Sequence, residues 1–230
     1  MGKCILCEKN CPEHFSLAWL LSWQALKQER LCRKCHEKFL PLLNETICPG
    51  CGRIMTKAEL CPDCHTWQKS QGGLLKNRAL YTYRTSAMKD YIERYKFQGD
   101  YHLRLAFKDE FQHYIKQHYP LKKWDLWVIP VDEETMATRG FNQVEGWLEG
   151  LNYHCDLQMK QRQGRIKQAR KTRQERLRSK QPFLYRGPRV ENRNILLVDD
   201  IYTTGRTLYY ARQIALLQGA KHVRSITLCR

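Results

Sequence analysis

The sequence predicts an α/β fold on a mostly parallel sheet, preceded by a cysteine-rich module that binds metal. Three observations predict it. After residue 73, apolar runs of strand length alternate with segments of helical periodicity. Four CxxC pairs crowd the first 64 residues. One late apolar run delivers two adjacent acids into a turn built of threonine and glycine.

The strand–helix alternation runs as follows. Ala79 to Tyr83 (ALYTY) reads as a strand, and Ser86 to Phe97 and Leu103 to His118 as helices with apolar residues three and four apart. Leu126 to Val131 (LWVIPV) is a buried-type strand, Phe141 to Leu151 a helix, and Asn194 to Val198 another buried strand. Arg206 to Leu217 reads as a helix and His222 to Leu228 as the closing strand. Such alternation implies βαβ units. The Gln71–Gly73 step reads as a joint, giving a metal-binding module over 1–72 and an α/β domain over 73–230.

Nine of the eleven cysteines fall between Cys4 and Cys64. No secretory signal precedes them, and the apolar stretch Leu17 to Leu26 is far short of the ~20 residues that span a bilayer. The expected setting is a reducing cytoplasm, where paired cysteines hold metal more often than they form disulfides. The pairs are Cys4/Cys7, Cys32/Cys35, Cys48/Cys51 and Cys61/Cys64. Each CxxC turn aims two thiolates at one point, and two turns complete a tetrahedral site for Zn²⁺. Eight ligands give two structural zinc ions with no coordination position left open. CPGC (Cys48–Cys51) with CPDC (Cys61–Cys64) closes a short loop. The first pair with the second would make the other site, across a longer insertion, and spacing leaves the pairing of second with third open. Cys11 is left as an ordinary thiol.

The most informative segment is Ile195 to Leu208, ILLVDDIYTTGRTL. Ligands of open α/β sheets bind beyond the carboxyl ends of strands, and a helix N-terminus there offers free N–H groups to an anion. Thr203, Thr204 and Thr207 add hydroxyls, Gly205 lets the backbone approach closely, and a helix begins near Arg206. Asp199 and Asp200 are placed to accept hydrogen bonds from the vicinal hydroxyls of a ribose whose phosphate sits below.

This segment resembles the ribose-phosphate signature of the type I phosphoribosyltransferase superfamily. Together with KFQGD (Lys96–Asp100), RGFNQ (Arg139–Gln143) and the cysteine-rich N-terminus, it makes the whole chain similar to the ComF family. The resemblance implies a type I phosphoribosyltransferase-like sheet behind a double zinc-ribbon-like module. It implies phosphoribosyl pyrophosphate with Mg²⁺ as ligand, Asp199 and Asp200 on the ribose hydroxyls, and Thr203 to Thr207 on the 5′-phosphate. Arg139 would neutralise the diphosphate, with Asn142 and Gln143 supplying polar contacts. It also implies a role in uptake of transforming DNA beside a ComFA-like helicase, in the cytoplasm or at the inner face of the membrane through partners. The chain departs from the family in the run Gln168 to Phe183, where an asparagine is absent and Lys and Arg fill the middle.

A formal net charge of +17 points to a polyanionic partner, nucleic acid first, against the plainer alternative of a merely soluble basic surface. Residues 160–180 concentrate the charge in Lys160, Arg162, Arg165, Lys167, Arg170, Lys171, Arg173, Arg176 and Arg178 with Lys180, against one acid, Glu175. This stretch buries little and reads as an exposed arm for single-stranded DNA. Two other functions compete. One is a phosphoribosyltransferase acting on a nucleobase or other acceptor, with Mg²⁺ neutralising the departing pyrophosphate, although no general base or base pocket is legible. The other is a zinc-ribbon adaptor whose α/β domain serves only protein contacts.

Overall fold

The computed structural model describes residues 2–11, 30–160 and 181–230. The eight basic residues from Arg162 to Arg178, and the stretch Leu17 to Leu26, lie outside the described residues. Lys160 lies inside them, exposed, its amide bonded to Pro182 O at 2.8 Å.

Gly2–Lys3 (β1) and Asn10–Cys11 (β2) pair antiparallel around the first CxxC turn. Arg33–His36 (α1) and Pro62–Ser70 (α2) each begin one residue after a cysteine, Cys32 and Cys61, held in extended conformation. Cys35 and Cys64 therefore fall in a first helical turn, where the Cβ leans back toward the preceding cysteine. The chain then runs through Asn77–Tyr81 (β3), Ser86–Ile92 (α3), a π-helical turn Glu93–Phe97, a 3₁₀ turn Tyr101–Ala106 and Lys108–His118 (α4). Next come Trp124–Val128 (β4), Glu133–Arg139 (α5), Gln143–Leu148 (α6), Leu157–Met159 (β5) and Phe183–Tyr185 (β6). Asn194–Ile201 (β7), Arg206–Leu217 (α7) and His222–Cys229 (β8) complete it.

The fold is the expected α/β arrangement. The central sheet has four strands in the order β3-β8-β7-β4, each parallel to its neighbours. A parallel sheet is buried on both faces, and the two-residue alternation of β7 shows how. Leu196 and Val198, with Ile226 and Leu228 of β8, pack against Met88, Tyr91, Phe111, Ile115 and Trp147. Ile195 and Leu197, with Val223, meet Leu208, Ala211 and Ala215 of α7 on the opposite face.

The cysteine-rich residues share both cores. Cys4, Cys11 and Cys35 pack with the first face through Phe39 and Tyr81, while Cys48, Cys51, Cys61 and Cys64 pack with the second beside Leu75, Tyr202 and Tyr209. Backbone bonds bind this region to the open edge of β3: Leu42 N to Leu80 O (2.9 Å), Thr82 N to Leu40 O (3.0 Å) and Asn77 N to Gly50 O (2.7 Å). An exposed parallel edge invites foreign pairing, and here the chain's own cysteine-rich segment covers it.

Several elements differ in extent from the sequence expectation. The strand expected at Ala79 starts at Asn77 and ends at Tyr81. Pro130 lacks the N–H that a further ladder bond needs, and β4 ends at Val128. The helix expected through Phe97 changes at Glu93 into a π-helical turn, so that Tyr95 stacks near Phe141 and Trp147 while Lys96 reaches the strand ends. The helix α5 and the β5–β6 ribbon carry too short an apolar period to be read in advance.

Candidate anion cleft and metal centres

Strand β7 extends through both acids, so Asp199 and Asp200 lie on the strand itself. Alternation places Asp200 on the same face as Leu196 and Val198, beneath α3 and α6, and it is only 5% exposed. Its carboxylate is held on two sides. Oδ1 accepts from Ile201 N (2.7 Å), and Oδ2 accepts from Lys96 Nζ (2.5 Å) and Gln143 Nε2 (3.1 Å). The carbonyl of Gln143 Oε1 in turn accepts from Arg139 Nη1. Residues 96, 139, 143 and 200 thus form one hydrogen-bonded line across the ends of the strands. Arg139 Nε is buried with no hydrogen-bond partner among the described residues, an orphaned donor that an incoming anion would satisfy.

Asp199 Oδ1 accepts from Asp200 N at 2.9 Å. Burial, and then the charge of Asp200, push the Asp199 carboxyl well above the ordinary carboxylate range, against the opposing pull of the amide and Lys96. Desolvation draws Arg139 below its usual value, opposed by Asp200 and Asp132.

The turn after β7 delivers the chain to α7. Gly205, at φ +78°, caps that helix in left-handed conformation, and a Cβ there would run into the Tyr202 ring and hydroxyl. No side chain caps α7, so its first amides remain available to a ligand. Between the turn, Lys96 and α5 lies a cleft of ≈ 510 Å³. Of the residues singled out from sequence, Asp199, Asp200, Thr203, Arg206, Thr207, Arg139 and Gln143 line it. Thr204, Gly205 and Asn142 do not appear in its walls. Asn142 is a helix cap, with Oδ1 accepting from Val144 N (2.9 Å) and Nδ2 donating to Ile129 O (3.0 Å), so its amide is spent fixing α6.

Lys96 was not singled out as a site residue from sequence, although KFQGD marked its stretch. The same is true of Arg230 and Trp67, which touch the turn from behind: Arg230 Nη1 donates to Tyr202 O (3.0 Å) and Thr203 O (3.2 Å), and Trp67 Nε1 to Thr204 O (2.8 Å). No local signal marks these contacts, whose partners stand 27 to 137 positions apart in the sequence.

The cysteine pairs resolve into two clusters, Cys4/Cys7/Cys32/Cys35 and Cys48/Cys51/Cys61/Cys64, with the ligand atoms of each within 4.8 Å of one another. The sulfur pairs Cys7–Cys32, Cys48–Cys64 and Cys51–Cys61 are each 3.7 Å apart. A zinc ion bound at ~2.3 Å by four sulfurs sets tetrahedral edges of about 3.8 Å, so both clusters fit that ion. Gly50 is required by the second knuckle, because a Cβ would stand 2.7 Å from Cys64 Sγ. The Cys51 thiol is lowered to about 4, first by its hydrogen bond with Cys64, against burial, and then by Arg230. Arg230 Nη2 donates to its sulfur at 3.4 Å, an outer contact of the kind that tunes metal-bound thiolates. Cys11 stays outside both clusters, its thiol raised by burial and then by Cys4.

Among the described residues no helix is long and apolar enough to cross a membrane. No family model matches the chain. Over 229 residues the chain is 35% identical to Competence protein ComFC of Streptococcus pneumoniae, covering 99% of this chain and 100% of that protein. Over 234 residues it is 35% identical to Competence protein ComFC of Bacillus subtilis, covering 99% of this chain and 94% of that one. Similarity of this extent, end to end, places the chain in the ComFC family of competence proteins.

Proposed function

We propose that the cleft binds a 5-phosphorylated ribose, phosphoribosyl pyrophosphate with Mg²⁺, and that the chain serves natural transformation by engaging incoming single-stranded DNA. Residues 73–230 then form the ligand-binding unit and residues 1–72 the metal-binding module. The observation that carries the ligand is the juxtaposition at the end of β7. Paired carboxyls stand over a threonine turn whose helix has an uncapped N-terminus. The anion sits on the amides and hydroxyls of Thr203–Thr207, the ribose hydroxyls reach Asp199 and Asp200, and Arg139 faces the diphosphate. Lys96 stands between Asp200 and the cleft, so its ammonium can serve either the carboxylate or a phosphate.

The donor set suits Mg²⁺, which takes most of its ligands from substrate phosphates and water and needs only one or two carboxylates. Bound there, it would screen the charge of the diphosphate. The chain's own groups position the sugar and hold the anion.

The DNA role rests on the relatives' competence name and on the net charge of +17, to which residues 160–180 contribute ten basic residues against one acid. Backbone neutralisation by Arg and Lys would dominate such binding. A ComFA-like helicase at the cytoplasmic face is the corresponding partner.

Thermal unfolding with and without phosphoribosyl pyrophosphate and Mg²⁺ tests the ligand. Saturation at a hundred times Kd adds about 2.7 kcal/mol, a rise of roughly 5–10 °C for a chain of this size. Asp200→Asn and Thr207→Val are expected to abolish that rise, and its absence in the unaltered protein would refute the assignment.

A further inference from the structure

We infer that the second cysteine cluster is the outer wall of the threonine turn, and that Arg230 and Trp67 are the positioning residues through which its metal keeps the turn shaped for an anion. The inference rests on the phosphate reading of the turn given above.

Three successive carbonyls carry it. Tyr202 O and Thr203 O accept from Arg230 Nη1 at 3.0 and 3.2 Å, and Thr204 O accepts from Trp67 Nε1 at 2.8 Å. Both donors belong to the metal side. The other terminal nitrogen of Arg230 bonds Cys51 Sγ at 3.4 Å, and Trp67 follows Cys64 by three residues on α2, a helix whose first turn contains that ligand. In a trans peptide the C=O and the next N–H point in opposite directions, and no peptide is cis among the described residues. Capturing these carbonyls therefore turns the amides of Thr203, Thr204 and Gly205 away from the metal. None of those amides has a hydrogen-bond partner among the described residues. Consecutive free amides leading into a helix N-terminus form an anion-binding concavity.

The remaining contacts stiffen the same connection. Trp67 stacks on Tyr209 of α7 with centroids 4.4 Å apart, and Tyr209 Oη accepts from Leu75 N at 3.1 Å. The Arg230 guanidinium lies 5.0 Å from the centre of the Tyr202 ring, the ring that fills the space left by Gly205. Gln71, just past α2, accepts from Arg212 Nη1 (3.2 Å) through its carbonyl and from Gln213 Nε2 (2.6 Å) through Oε1. A metal held by Cys51 and Cys64 would fix the sulfur under Arg230 relative to the first turn of α2, so its loss would loosen both outer donors of the turn together.

The test is calorimetric titration of the zinc-loaded full chain with ribose 5-phosphate, alongside Trp67→Phe and Arg230→Met. Trp67→Phe keeps an aromatic ring on Tyr209 and removes only the N–H. Arg230→Met keeps apolar bulk against Tyr202. Each variant is expected to retain both zinc ions; Trp67→Phe should bind about tenfold more weakly, the scale of one lost hydrogen bond of good geometry, and Arg230→Met, which loses two bonds to the turn, at least as weakly. Coupling of two sites is reciprocal, so ribose 5-phosphate should raise the chelator concentration needed at equilibrium to withdraw one of the two zinc ions from the unaltered chain. That protection should shrink in both variants, which a purely structural Trp or Arg would not cause. Unchanged affinity and unchanged protection in both variants would overturn the coupling and leave the phosphate reading standing. Failure of the unaltered chain to bind ribose 5-phosphate would remove the phosphate reading and the coupling with it.

Discussion

At Asp199 the fold holds a carboxyl that burial, and then the charge of Asp200 beside it, push well above its ordinary range. The native state therefore binds this proton more tightly than the unfolded chain does. The stability it contributes is complete below the unfolded value near 4 and is lost as the pH rises through the native value. Asp199→Asn removes that titration. In the ligand-free protein its melting temperature is expected to exceed that of the unaltered chain at pH 8 by about 2–4 °C, the equivalent of about 1 kcal/mol at this size. The gap should narrow toward pH 4, which thermal scans across a pH series would read. Lys96→Met acts in the other direction. It leaves the nearly buried Asp200 without its cation, a loss expected to cost about 3 kcal/mol in a denaturant titration. The two acids were legible in the sequence because a strand, two carboxylates, threonines and a glycine stood in one consecutive order. Lys96 and Arg230 were not, because their partners lie 104 and at least 27 positions away and only the folded sheet brings the strand ends together.

Among the elements, the cysteine knuckles bear the most on stability. They cover the open edge of β3 and join both cores, so metal removal should not stop at the knuckles. Structural zinc contributes on the order of 10 kcal/mol to folding of small metal domains, comparable with the whole reserve of an ordinary domain. Chelation is expected to abolish the single cooperative unfolding transition, and elemental analysis of the intact protein should return about two zinc ions per chain. Retention of a sharp transition after both ions are gone would contradict this. CxxC spacing was enough to announce metal, since it brings two thiolates together locally. It could not say which pairs share an ion, because that depends on how the intervening 24 residues between Cys7 and Cys32 return the chain. In the structure the first pair gathers with the second and the third with the fourth, each group able to hold one ion. RGFNQ illustrates the converse. The resemblance implies ligand contacts for Arg139, Asn142 and Gln143, while the residues themselves also read as a helix start capped by Asn; in the structure Gly140 ends α5, Asn142 caps α6, and Arg139 and Gln143 reach the cleft.

For the molecule as a whole, the strongest non-local feature is its charge, and it separates two kinds of partner. A compact phosphate ligand is held by the oriented groups of the cleft and depends little on distant charge. A polynucleotide would be held by summed neutralisation of its backbone, with a steep dependence on salt. Replacing Arg170, Lys171, Arg173 and Arg176 with glutamine should therefore reduce the salt slope for single-stranded DNA by about 3, at roughly 0.7 per phosphate contact, while leaving affinity for phosphoribosyl pyrophosphate unchanged. Gel shifts over a salt series would read the first effect and calorimetry the second. The α/β class was legible because parallel strands buried on both faces leave continuous apolar runs, as in β4 and β7. The most direct test of the central claim is a crystal structure with phosphoribosyl pyrophosphate and Mg²⁺. The expected result is a 5′-phosphate on the amides of Thr203–Thr207, with the ribose hydroxyls on Asp199 and Asp200. A ligand bound elsewhere, or a turn left empty at saturating concentration with Asp200 still locked to Lys96, would contradict it.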